Sequence, residues 1–150
     1  MSAASIQSGD DAVAVVISRL EVRLALLAEL HELTRRRGQA IVDRRFEALP
    51  RLAEAREAVI SRLVASASDL ESAARSAEGT CSPEALRLVE QASEVVAEIE
   101  RLDRHDEEVL GSLSEETRRG IESTNLSSRA NRAYASGSAP SASSGGGRTA

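Results

Sequence analysis

The sequence predicts an all-α fold: an antiparallel bundle of three long helices, then a weak C-terminal helix and a disordered tail. Three observations carry that prediction. Apolar residues recur every three or four positions in three long runs, and no segment shows a convincing period of two. Phe46 and Tyr134 are the only aromatic residues and there is no tryptophan, so any core must be built from Leu, Val, Ile and Ala. Such side chains suit closely spaced helices better than a sheet sandwich. The runs are similar in length and separated by short connections, which favours antiparallel neighbours.

Residues 1–9 are small and polar and read as disordered. The first helix is expected over about 11–42, where Val13, Val16, Leu20, Leu24, Leu27 and Leu30 form one stripe. Val22, Leu26 and Leu33 widen it, so this helix should be covered on more than one side. The second helix, about 47–77, carries Leu49, Leu52, Val59, Ile60, Leu63, Leu70 and Ala74. Pro50 is tolerable only in a first turn, which pins the start near Phe46 to Leu49.

The third helix, about 83–119, has the clearest start, with Ser82 as N-cap, Pro83 at the first helical position and Glu84 behind it. Leu88, Ala92, Val95, Ile99, Leu102, Asp106, Val109 and Leu113 then alternate spacings of four and three, a heptad seam with one polar break at Asp106. Gly120 reads as a stop or a kink. Residues 121–135 have only a weak amphipathic stripe of Ile121, Leu126, Ala130 and Tyr134. From Ser136 the Gly/Ser/Ala composition cannot bury a core, so 136–150 read as a disordered tail.

The stretch LTRRRGQAIVDRRFEALPRL, from Leu33 to Leu52, holds six arginines against two acids in a chain of net charge −5. Two readings of its backbone stand. Arg35, Arg36 and Arg37 could close a helix at Gly38. Alternatively the helix runs on through Gly38, at a cost of about 1 kcal/mol, and turns at Asp43. Either way the segment is an elbow with a solvated basic surface. A nucleic-acid patch would want aromatic residues interleaved with the arginines to stack bases, or a glycine-rich phosphate cradle, and this stretch has neither. Residues 84–122, with twelve acids and five arginines, offer the arginines a complement, within one molecule or between molecules.

A pI near 5.2 argues against nucleic acid as the main partner. No run of about 18 apolar residues occurs, so no membrane span is expected. Cys81 is the sole cysteine and MSAASIQSGDD lacks the pattern of a secretory signal, which together point to the cytoplasm. Neither a catalytic residue nor a cofactor or metal site is predicted. His105 has only Glu108 as a ligand-type neighbour at helical spacing, and two ligands do not make a site. Cys81 precedes a helix start but has no histidine near it in sequence. Asp106 either faces water through a local opening or fixes register or partner at some cost in stability.

The segments LLAELHELTRRRGQAI, Asp43 and EALPRLAEAREAVISRL lay out a helical hairpin with an aspartate in its turn. IERLDRHDEEVLGSL follows on the third helix, and ANRAYASG near the end. This layout, over residues 12–137, resembles the flagellar type III export chaperones, the FlgN-like group most closely and the FliT-like group nearly as well. Asp103 and Asp106 fall where that family has asparagines, and Ser136 interrupts its AYG-like element. The resemblance implies a non-enzymatic chaperone for the C-terminal helices of hook–filament junction proteins, delivered to the export gate. Cargo would then meet Ile121, Leu126, Ala130 and Ala133, and the gate Tyr134. The alternative is a structural coiled-coil protein that self-associates as a homo-oligomer through the Leu88–Leu113 seam.

Overall fold

The computed structural model describes residues 2–80 and 82–137. It is all-α, and no strand occurs among the described residues. Helix α1 spans Ser2–Val42, a short 3-10 turn covers Phe46–Ala48, α2 spans Leu49–Ser76 and α3 spans Pro83–Gly137. The chain divides into two compact units, Met1–Val109 and Leu110–Ala150.

The first unit is an up-down-up bundle of α1, α2 and the 83–109 part of α3. Its core gathers Leu26, Leu27 and Leu30 from α1, Val59 and Leu63 from α2, and Ile99 from α3. Leu33, Ile60, Ala92, Val95 and Val96 pack around that cluster at the boundary. The Leu88–Val109 stretch of the seam therefore closes intramolecularly, on the hairpin of its own chain. The coiled-coil alternative would have had to use that surface between chains.

The two connections follow from local chemistry. At the end of α1, Arg45 N–H donates to Ala40 O at 2.8 Å and Arg44 N–H to Ile41 O at 3.1 Å. This is the paired 6→1 and 5→2 pattern that closes a helix, with Arg44 in the left-handed region at φ 56°. Gln39 and Asp43 side chains bridge the same turn at 3.0 Å. Pro50 sits in the first turn of α2, where a missing N–H costs nothing. Gly79, at φ 87°, takes the left-handed position after α2. Ser82 Oγ accepts from Ala85 N–H at 3.2 Å and Leu86 N–H reaches Ser82 O at 3.1 Å, so Ser82 caps α3 with Pro83 behind it.

Several expectations need correction. Residues 2–9, expected to be disordered, lie within α1; nothing before Asp10 breaks a helix except Gly9, and once a nucleus exists each added residue gains a hydrogen bond. Gly120 neither stops nor separates a helix. Arg118 pairs with Glu115 at 2.6 Å on one side of it and with Glu122 at 2.8 Å on the other, and Thr124 Oγ1 donates to Gly120 O at 2.9 Å. Such i,i+3 and i,i+4 pairs offset part of the glycine's cost. Residues 121–135 are therefore the continuation of α3, and the helix includes Ser136 and Gly137. Cys81 and the tail from Ser138 lie outside the described residues.

The packing assigns different weights to two aliphatic residues of α3. Ile99 is 6 % exposed and Leu126 64 % exposed. Ile99→Ala should lower unfolding free energy by about 2–4 kcal/mol through lost burial and a cavity. Leu126→Ala should change it by less than about 0.5 kcal/mol. Urea denaturation followed by circular dichroism reads both.

Candidate functional site

Three features of the described residues bear on function: an ion-pair clamp near the elbow, an apolar groove at the opposite end of the first unit, and an exposed stripe in the second unit.

The clamp is built on Gly38. This glycine lies inside α1, where an added Cβ would stand 3.2 Å from Asp106 Oδ1, so the small residue is what admits the α3 carboxylate. Thr34, one turn earlier, is fully buried and donates its hydroxyl to Leu30 O at 2.8 Å, leaving only its methyl for the interface. Asp106 is 4 % exposed. Its Oδ2 accepts from Arg37 Nε at 3.0 Å, while Arg37 Nη2 reaches Asp103 Oδ1 at 2.7 Å. Arg56 of α2 donates Nη2 to both oxygens of Asp103 at 3.0 Å, which ties all three helices together. Arg56 Nε is buried without a partner.

The arginine-rich elbow thus splits by position. Arg35 and Arg36 are exposed and pair with Glu32 on their own helix, and Arg45 pairs with Asp43. Those residues form the solvated basic surface expected of the elbow. Arg37 departs from it, because it faces α3 and its charge is matched within the molecule. Asp106 does not face water through an opening; it is buried at the seam with a charged partner.

The apolar groove lies where all three helices of the first unit meet, away from the elbow. Val13, Val16 and Leu20 of α1, Leu70 of α2, and Leu86 and Val89 of α3 line a cavity of about 600 Å³. A second cavity of about 590 Å³ shares Leu20, Leu70 and Val89 and extends the groove to Leu27 and Val96, with Arg23, Glu71 and Glu100 on its rim. The space is open because its walls carry Ala67, Ala74, Ala77 and Ala85, which are too short to fill it. Leu86 remains 58 % exposed and Val89 46 %. Sequence reasoning counted Val13, Val16, Leu20, Leu70 and Ala74 as core and did not anticipate an opening. The available signal was side-chain volume: alanines on α2 stand opposite alanines on α3.

In the second unit the helix exposes Ile121, Leu126 and Tyr134, the last at 80 %. The expected stripe is not one face. At about 100° per residue, Leu126, Ala130, Ala133 and Tyr134 share a side, whereas Ile121 is about 140° from Leu126 and falls in line with Leu113 and Thr117. The structure therefore brings three of the four expected cargo residues together with Tyr134, and leaves Ile121 apart.

Elsewhere the polar chemistry is that of helix surfaces. Arg101 hydrogen-bonds Glu98 and holds its carboxyl below the usual range; Arg118 does the same to Glu115. His105 is exposed, and His31 is half-buried with Nε2 lacking a partner. Among the described residues no group of three or more His, Cys, Asp or Glu is placed to hold a metal ion, and no helix is long and apolar enough to cross a membrane. No protein-family model matches the chain, and no curated protein or solved structure is significantly similar to it.

Removing Asp106 leaves the Arg37 guanidinium half-buried with Asp103 alone. Asp106→Ala should destabilise the protein by about 2–4 kcal/mol, and adding Arg37→Met should recover part of that loss, because an uncompensated buried charge costs more than a missing pair. Chemical denaturation of the two single variants and the double variant measures it.

Proposed function

We propose that this protein is a non-enzymatic, cytoplasmic chaperone of the flagellar type III export kind, which holds a helix of an exported partner. The observation that carries the reading is the row of Leu126, Ala130 and Ala133 on a helix with every one of these side chains exposed, and exposed Tyr134 beyond its end. An amphipathic row of this kind acquires a buried face only by packing against another helix. Small residues at positions 130 and 133 let a partner backbone approach, and Leu126 supplies the anchor.

The cargo is the C-terminal helix of a hook–filament junction protein, kept from polymerising until delivery. Tyr134, at the far end of the row, is the residue that meets the export gate. The resemblance of residues 12–137 to the FlgN-like and FliT-like groups supports this choice of cargo, and the helical hairpin followed by a long third helix is in keeping with it. No catalytic step is involved. The work is binding energy offered to one helix and withdrawn when the cargo passes on.

Calorimetric titration with C-terminal helical segments of hook-associated proteins tests the reading. Micromolar or tighter binding is expected, weakened at least about tenfold by Leu126→Glu and much less by Ile121→Glu, which lies on another side of the helix. Tyr134→Ala should leave cargo affinity within about twofold and lower export instead. Absence of heat with every segment would remove the chaperone assignment.

A further inference from the structure

The first unit has a helix-sized groove without a helix in it, and the second unit has a helix with an uncovered apolar row. We propose that these are the two halves of one homotypic contact, in which the groove of one copy takes the Leu126–Tyr134 row of a second copy. This contact is separate from the cargo assignment, although it uses one surface in common with it.

Size is the first argument. The groove runs beside α1 from Val13 to Leu27, fourteen residues or about 21 Å, which is four turns of helix. The row from Leu126 to Tyr134 needs about 12 Å and fits inside it. Shape is the second. The alanine-lined walls leave the groove open, and the row offers two large residues, Leu126 and Tyr134, at its ends with Ala130 and Ala133 between them.

Charge is the third argument, and it is visible in the sequence alone. Residues 84–122 hold twelve acids and five arginines, whereas residues 123–150 hold three arginines and no acid. At the groove, Glu71 and Glu100 stand on the rim with Arg23, and Glu71 pairs with Arg75, while residues 67–100 as a whole hold eight acids and two arginines. On the helix that carries the row, Arg129 follows Leu126 by three residues and flanks the row, whereas Arg132 stands about 120° from Leu126, on another side. A basic helix laid in this groove would bring opposite charges to its edges, which favours encounter and orientation. The occupant comes from another copy because Leu86, Val89 and the row all belong to α3, which is α-helical without a break from Pro83 to Gly137.

Reciprocal exchange of the row closes a dimer, and one-way donation makes an open chain. Sedimentation velocity of the full chain over about 1 to 200 µM is the test, with Leu86→Glu blocking the groove and Leu126→Glu blocking the row. Both sites are exposed, so circular dichroism should show unchanged helicity. The wild type should associate, each variant should associate at least about tenfold more weakly, and a 1:1 mixture of the two should recover association, since each supplies the half that the other lacks. Raising salt, or Arg129→Glu, should weaken the wild-type complex. A wild type that stays monomeric at the highest concentration overturns the proposal. So do variants that still associate, or a mixture that does not. Cargo titration separates this proposal from the chaperone reading: Leu86→Glu should lose self-association and keep cargo binding.

Discussion

The contact between Arg37 and Asp106 is the constraint around which the first unit is arranged. A carboxylate in the middle of an apolar seam is unfavourable unless a cation meets it, and the cation here arrives from the helix that also carries Gly38. Sliding α3 by one turn in either direction, about 5.4 Å, would take Asp106 off Arg37 and off the glycine. Asp103 stands about one turn from Asp106, so such a slip leaves one carboxylate near Arg37, but Arg37 and Arg56 then no longer hold both acids. Leucines and valines tolerate such a slip, because one aliphatic residue packs nearly as well as the next. The four charged side chains do not tolerate it, so they set the register that the aliphatic core leaves open.

That division of labour makes the two ends of the first unit unlike one another. Near the elbow, Thr34, Ala40, Ile41 and Asp106 are all buried and Gly38 lets α3 approach at Asp106, beside a smaller cavity of about 450 Å³. Towards Val13 and Leu86 the facing residues are alanines and the helices leave a groove. The tight end holds the hairpin and α3 in one arrangement, and the open end can then accept a helix without the bundle having to rearrange. An apolar groove and an exposed apolar row are the two surfaces on which the proposed helix binding rests.

Much of the fold was legible because it follows from local rules. The leucines of α1 and the seam of α3 declare their faces by spacing, and Ser82–Pro83 declares a helix start by capping chemistry. Asp106 was legible as an anomaly, yet its partner was not, since Arg37 lies 69 residues away and periodicity carries no pairing information. Reading residues 2–9 as disordered and Gly120 as a stop missed the helix for a common reason. Short polar stretches and single glycines sit near balance between helix and coil, and the outcome turns on helix propagation or on ion pairs such as those of Arg118. The groove escaped detection because apolar spacing counts an alanine as core and does not ask whether it fills space. Ile121 was grouped with Leu126 across a spacing of five, which an unbroken helix does not put on one side.

The register claim is tested most directly by a distance between helices. Spin labels at exposed Arg36 on α1 and Glu107 on α3, in a chain with Cys81→Ser, report that separation by pulsed electron resonance. The wild type should give one narrow distance, and Arg37→Met with Asp106→Leu should give a broadened or doubled distribution with components separated in register by about one helical turn. The same single narrow distance in both proteins would contradict the account and assign the register to the aliphatic core alone.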